Sequence, residues 1–209
     1  MALFREAVVA AAAGGGSPSD LRGAASGVGS AVLVEGVSDQ AALEALAERC
    51  GRDLEAEGFC VVPMGGATSI RRFVSLLGPQ GLGIRLLGLC DVGEERHFHR
   101  ALEAAGLMGD LAADLAPLGF FVCDADLEDE LIRALGSDSV ERVIEEQGDL
   151  ASFRILQNQP AQRSWTAERQ LHRFMGSIGG RKARYARALI EAVDLDRVPK
   201  PLARLLAAL

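Results

Sequence analysis

The chain has 209 residues, 49% of them hydrophobic, which is enough to bury one full core, or one core with an appendage. No apolar run approaches the ~18 residues needed to span a bilayer, and the N-terminal "AVVAAAAGGG" lacks the basic flank and leucine-rich stretch of a secretory signal. A cytoplasmic protein with no membrane partner is therefore expected. The net charge of −7 argues against a uniformly basic nucleic-acid binder, yet it averages two unlike parts: residues from Arg154 onward carry +7 and everything before them −14.

In chain order, residues 3–13 fit a short helix. The Gly/Ser-rich stretches "GGGSPSD" and "GAASGVG" then read as a connector, so order is expected to begin near Ala31 and residues 1–29 are read as a flexible segment. From there strands alternate with helices: strand "AVLVEG", helix "SDQAALEALAERCG", strand "GFCVVPMGG", helix "SIRRFVSLLG", strand "IRLLGLCD", helix "EERHFHRALEAAG" and strand "GFFVCDAD". Such alternation implies an α/β fold with a parallel sheet of about four strands covered on both faces. In the first of these helices Ser38 suits the N-cap, Leu43, Leu46 and Cys50 share a face, and Gly51 suits a left-handed C-terminal residue. From "LEDELIRALG" to the end every segment reads helical, giving a core over 30–136 and an all-helical C-terminal extension over 137–209.

Three of the four expected strands end in acids: Glu35, Asp91, and Asp124 with Asp126, Glu128 lying just beyond. In an open parallel sheet the crevice beyond the strands' carboxyl ends is where ligands bind. Carboxylates converging there repel one another at neutral pH unless something neutralises them, and a divalent cation does so. Oxygen-only donors suit Mg²⁺ or Mn²⁺ rather than zinc. Capping a helix or ending a strand in water accounts for any one of these acids, but less readily for their coincidence.

Other features weigh less. Cys50, Cys60, Cys90 and Cys123 have no C-x-x-C spacing, and the three in or beside apolar strand-like runs read as core thiols, so structural disulfides or a zinc site are not expected. "MGGATS" (64–69) is either a phosphate-approaching turn or a plain strand-to-helix turn. His97 and His99 in "HFH" point to different faces of a helix. Trp165, among Arg163, Arg169 and Arg173, is either a base-stacking platform or core.

"LVEGVSD" resembles the first motif of Toprim domains, in which a glutamate ends the first strand and a glycine comes next, and "LCDVG" resembles the second, in which an aspartate ends the third strand. The pairing of Glu35 with Asp39, the "LEDEL" block and the lysine in "GGRKARYARAL" resemble more narrowly the nucleases of the OLD (overcoming lysogenisation defect) family, over roughly residues 30–195. The resemblance implies a Toprim-like fold. It assigns Glu35, Asp39 and Asp91 to one metal and Glu128 to a second; Asp126, one of the strand-end acids, is read as a further metal ligand. The resemblance places Lys182 near the scissile phosphate, so that Glu35, Asp91, Glu128 and Lys182 form the catalytic set. Arg181, Arg184 and Arg187 flank that lysine and read as phosphate-backbone contacts.

Resemblance and strand-end acids together imply a divalent-metal-dependent nuclease, or related phosphoryl-transfer enzyme. Its expected substrate is nucleic acid, DNA in the first instance, with Mg²⁺ or Mn²⁺ and a two-metal mechanism. Full-length OLD-family enzymes couple this domain to an ATPase. No G-x-x-x-x-G-K-[ST] occurs here, so any ATPase is expected to be a separate partner. One departure matters: the aspartate-x-aspartate of the second motif reads Asp91-Val92-Gly93, with Glu94 and Glu95 as the nearest substitutes. The alternative is thus a catalytically weakened Toprim module that binds nucleic acid or works only with a partner ATPase.

Overall fold

The structure, a computed structural model, describes residues 1–15, 18–108, 114–178 and 180–209; Gly16 and Ser17 of the expected connector, and Gly179 of the lysine motif, lie outside the described residues. In chain order the elements are α1 (Ala2–Ala12), α2 (Pro18–Ala24), β1 (Ser30–Val34), α3 (Val37–Arg49), β2 (Phe59–Pro63), α4 (Ile70–Leu77), β3 (Arg85–Asp91), α5 (Glu95–Ala104) and β4 (Phe120–Cys123). Six helices complete the chain: α6 (Leu127–Leu135), α7 (Ser137–Glu146), α8 (Leu150–Asn158), α9 (Ala167–Met175), α10 (Arg181–Ala192) and α11 (Lys200–Ala208).

The four strands form one parallel sheet in the order β2-β1-β3-β4, with Val32 opposite Val61 on one side and Leu87 on the other, and Cys90 opposite Val122. β1 is buried at every position, as its unbroken apolar run requires of a strand covered on both faces. The two-residue period of a strand divides that run. Ala31 and Leu33 pack with α1, α4 and α5, while Val32 and Val34 pack with α3, α6 and α10. Gly88 lets β3 pass between its neighbours: a Cβ there would lie 2.6 Å from the Leu33 carbonyl oxygen and 2.7 Å from the Phe120 ring.

Two local expectations are corrected. Order does not begin near Ala31: α1 buries Phe4 and Val8, one turn apart, and its Arg5 Nε donates to the Val61 carbonyl at 2.7 Å. This covers the outer edge of β2, which would otherwise present unpaired backbone groups. Ser38 is not the N-cap of α3; the helix starts at Val37, and the Gly36 amide donates to Asp39 Oδ2 at 2.8 Å, half of a capping box. Gly51 is left-handed, as expected (φ +72°).

The C-terminal helices share the core with one face of the sheet. α10 lies along α3 and buries Tyr185 and Leu189, while Phe153, Phe174 and Tyr185 pack edge to face. Arg49 at the end of α3 donates to the Ile190 and Val193 carbonyls, tying the two helices together. This packing carries the first turn of α10, with Lys182, to the carboxyl edge of the sheet. Cys60, Cys90 and Cys123 are buried free thiols.

Candidate metal centre

The parallel sheet sends the ends of β1 and β3, its two central strands, to the same edge. Glu35 comes directly after β1 and Asp91 closes β3, and the Asp91 amide donates to Glu35 Oε1 at 2.9 Å. The loop after β2 fixes Glu35 from the other side, since the Met64 amide bonds to the Val34 carbonyl and the Gly66 amide to the Glu35 carbonyl. The "MGGATS" turn thus serves to hold the end of β1, with Gly65 and Gly66 both at positive φ. Asp39 stands in the first turn of α3, oriented by the Gly36 amide.

The third group of acids comes from the turn between β4 and α6. Ala125 there has φ +102°, the single non-glycine residue at positive φ among the described residues, a conformation an L-residue rarely adopts. Immediately after it Asp126 caps α6, its Oδ1 accepting from the Asp129 amide at 2.8 Å, while its Oδ2 lies 2.6 Å from Nε2 of His172 on α9. Glu128, 4% exposed, points inward from the first turn of α6. Its Oε1 lies 3.3 Å from Lys182 Nζ but is a buried oxygen without a hydrogen-bond partner. Lys182 itself is 46% exposed, reaching from solvent toward the acids.

The electrostatics show that these groups form one cluster. Burial, reinforced by Glu35, Asp39, Asp126 and Glu128, raises the Asp91 pKa to about 8. Burial, reinforced by Glu128 and Glu35, raises that of Asp39 to about 7 even against the Gly36 amide and Lys182. Glu35 is also raised, by burial and then by Glu94, Asp126 and Glu128, although the Asp91 amide opposes the shift. Asp126 moves the other way: burial pushes it up, but the hydrogen bonds from His172 and the Asp129 amide outweigh burial and leave it lowered. The same hydrogen bond raises His172. Burial works against the charged form of Lys182, and the charge of Glu128 overcomes it, leaving the lysine raised.

Glu35, Asp39, Asp91, Asp126, Glu128 and Lys182 are therefore gathered at one edge of the sheet, although they are spread from residue 35 to residue 182 of the sequence. The arginines of α10 are not. Arg181 is 9% exposed, stacked on Phe174 and donating to the Phe174 carbonyl. Arg184 pairs with Asp149, and Arg187 with Glu48 and Glu191. Asp124 is 85% exposed and pairs with Arg133, away from the cluster. His97 and His99 pair with Glu94 and Glu95. Trp165 carries the Arg169 guanidinium 3.8 Å from its ring centre.

Donor chemistry fits a hard divalent cation: several carboxylates, two of them raised by burial and by one another so that they hold protons near neutrality, and a buried Glu128 oxygen that has only the Lys182 ammonium, 3.3 Å away, beside it. Among the described residues one set of three donors, Asp126, Glu128 and His172, has its ligand atoms all within 4.8 Å of one another. Sequence reasoning missed His172, whose only signal was a histidine in an arginine-rich helix, and missed the constrained turn at Ala125.

Residues 29–92, which include Glu35, Asp39 and Asp91, match the sequence profile of the family described as "Overcoming lysogenization defect protein-like, TOPRIM domain". The fold is similar to the C-terminal region of the Burkholderia pseudomallei OLD protein, with 25% identity over 87% of this chain and 96% of that one, at a TM-score of 0.66. It is also similar to the C-terminal region of the Xanthomonas campestris pv. campestris OLD protein, with 28% identity over 86% of this chain and 93% of that one, at a TM-score of 0.65. No curated protein gives a significant match to the sequence. Among the described residues no helix is long and apolar enough to cross a membrane.

Proposed function

We propose that this chain, an OLD-like TOPRIM domain, is a divalent-metal-dependent nuclease that hydrolyses phosphodiester bonds, with DNA as its first substrate class. The observation that carries this reading is the edge at which Glu35, Asp39 and Asp91 meet Asp126, Glu128 and Lys182. In this reading Glu35, Asp39 and Asp91 hold one Mg²⁺ or Mn²⁺ ion, and Asp126 and Glu128 hold a second. When bound, such ions supply charge neutralisation and Lewis acidity at the phosphodiester.

The remaining work belongs to the chain's own groups. The Asp91 amide fixes the Glu35 carboxylate, and the Asp129 amide fixes that of Asp126, so the acids are oriented before any ligand arrives. Lys182 Nζ, half exposed above Glu128, is placed to offset charge developing on the phosphoryl oxygens. Arg184 and Arg187 are half exposed, and would hold the phosphate backbone by exchanging their carboxylate partners for phosphates; Arg181 is committed inside the fold.

The test is conversion of supercoiled plasmid DNA to nicked and linear forms by the purified chain with Mg²⁺ or Mn²⁺, and in the presence of a chelator. Ion-dependent conversion that disappears in Glu35→Gln is expected. Gly93, standing where the second motif has an aspartate, favours a second reading: a weakened module that binds nucleic acid or acts only with a separate ATPase. Ion-dependent binding of DNA without conversion would select that reading, and parallel reactions on RNA settle the substrate class.

A further inference from the structure

We propose that His172 is itself a metal ligand, completing with Asp126 and Glu128 a mixed nitrogen–oxygen site that favours Mn²⁺ over Mg²⁺ at the second ion position. This rests on the reading above that the sheet edge holds divalent ions. It adds a ligand and a selectivity.

The geometry of three side chains carries it. One ring nitrogen of His172, one Asp126 oxygen and one Glu128 oxygen lie within 4.8 Å of one another, little more than the ~4.2 Å between opposite ligands of one ion with bonds of ~2.1 Å. Asp126 is oriented for the task, because its Oδ1 is taken by the Asp129 amide, leaving Oδ2 turned toward His172 at 2.6 Å. The Glu128 side chain is 5% exposed and faces the same space; its Oε1 has the Lys182 ammonium 3.3 Å away but no well-aligned hydrogen bond, which leaves the oxygen able to take a further cation. An octahedral ion with bonds of ~2.1 Å places neighbouring ligand atoms ~3 Å apart, so the His172–Asp126 contact needs to open by only a few tenths of an ångström.

The missing acid gives this arrangement its point. With glycine at position 93 the carboxylates of the edge number one fewer than in the second motif, and His172 on α9 adds a donor of another kind, at the ion position of Asp126 and Glu128. The donor is an imidazole, and imidazole binds transition-metal ions far better than it binds Mg²⁺, which prefers oxygen and holds its water tightly. The other two histidines are paired with Glu94 and Glu95 and lie outside the three-donor set.

The test uses the full chain as wild type, His172→Ala and His172→Gln. Bound Mn²⁺ is counted by electron paramagnetic resonance and Mg²⁺ affinity is measured by calorimetry, with circular dichroism checking the fold. The expected result is a loss of at least about tenfold in Mn²⁺ affinity at one site in both variants, with Mg²⁺ affinity changed by less than about threefold. Equal losses for the two ions would mean that His172 only positions Asp126, and no loss would mean that it does neither; either result overturns the proposal. A further arm needs no variant. In wild type the Nε2 resonance of one of the three histidines must move to a metal-bound position on adding Zn²⁺ and stay in place with Mg²⁺; failure to move also overturns it. A wild-type chain that binds neither Mn²⁺ nor Mg²⁺ would instead remove the underlying reading of the sheet edge.

Discussion

The Asp91 backbone amide donates to Glu35 Oε1 at 2.9 Å, so the carboxylate that ends one central strand is held by the last peptide of the other. The bond orients Glu35, but burial and the neighbouring acids still leave its pKa raised. Glutamine at this position keeps an oxygen for the Asp91 amide and removes the charge. Glu35→Gln is therefore expected to abolish ion-dependent cleavage while leaving metal-free stability equal to wild type or slightly higher. Thermal unfolding with and without Mn²⁺ checks it: an ion-induced rise in Tm as large as that of wild type would show that Glu35 is not a ligand.

The raised carboxyls set a pH dependence. Asp39 and Asp91 titrate near 7 and 8 in the folded chain, against 3.8 in an unperturbed aspartate. Between those values the folded state holds more protons than the unfolded state, so stability falls as pH rises through that window. Metal-free protein is expected to melt lower at about pH 8.5 than at about pH 5.5. Mg²⁺ or Mn²⁺ should restore more stability at the higher pH, because ions bind the deprotonated carboxylates. A metal-free Tm that is flat or rises across the range would show that the acids are not coupled as described.

Much of this was legible in the sequence because an apolar run that stops at an acid marks both a strand and the sheet edge to which its end is delivered. Glu35 and Asp91 are of this kind. Asp39 and Glu128 were legible through the resemblance of "LVEGVSD" and "LEDEL" to OLD-family motifs, and the alternation of strands and helices was enough for the parallel sheet. His172 was not legible: it lies 46 residues beyond Asp126, and only the packing of α6 against α9 brings the two together. Nor could a basic run reveal that Arg181 turns inward onto Phe174 while Lys182 beside it turns toward the acids. At the N-terminus, small residues and glycines masked the one pattern that mattered, Phe4 and Val8 on a single face.

Gly93→Asp restores the acid of the second motif, and the structure has room for it: a Cβ at Gly93 meets no atom within 4 Å. The added charge is expected to tighten divalent-ion binding by about tenfold, read by calorimetry. Unchanged affinity in a folded variant would mean that existing donors already complete the site.

Lys182→Ala separates chemistry from binding. A cation acting on charge that develops during reaction lowers the single-turnover rate, here by about 10²–10³, with little change in DNA affinity. Arg184→Ala and Arg187→Ala are expected to do the opposite, weakening DNA binding and lowering its logarithmic salt slope by about one. Wild-type cleavage by Lys182→Ala would return the first turn of α10 to a purely structural role.

Ala125→Gly tests the turn that presents Asp126. Glycine adopts φ +102° without penalty, so relief of the local strain should exceed the extra freedom glycine gives the unfolded chain, for a net gain of about 1 kcal/mol in urea denaturation. A loss of stability would show that the alanine methyl contributes packing that outweighs the strain.

The docking of α10 along α3 has a consequence for the order of events during synthesis. The first motif, with Glu35, leaves the ribosome before Lys182 and the helix that covers α3, which lie about 150 residues further along the chain. A nascent or prematurely terminated chain would expose the α3 surface that α10 buries and would carry acids without their lysine. On the proposed function, a nuclease built this way would stay inert while unfinished. Its activity would appear together with the closing of its core, so chains stalled before residue 180 should be both aggregation-prone and harmless to nucleic acid.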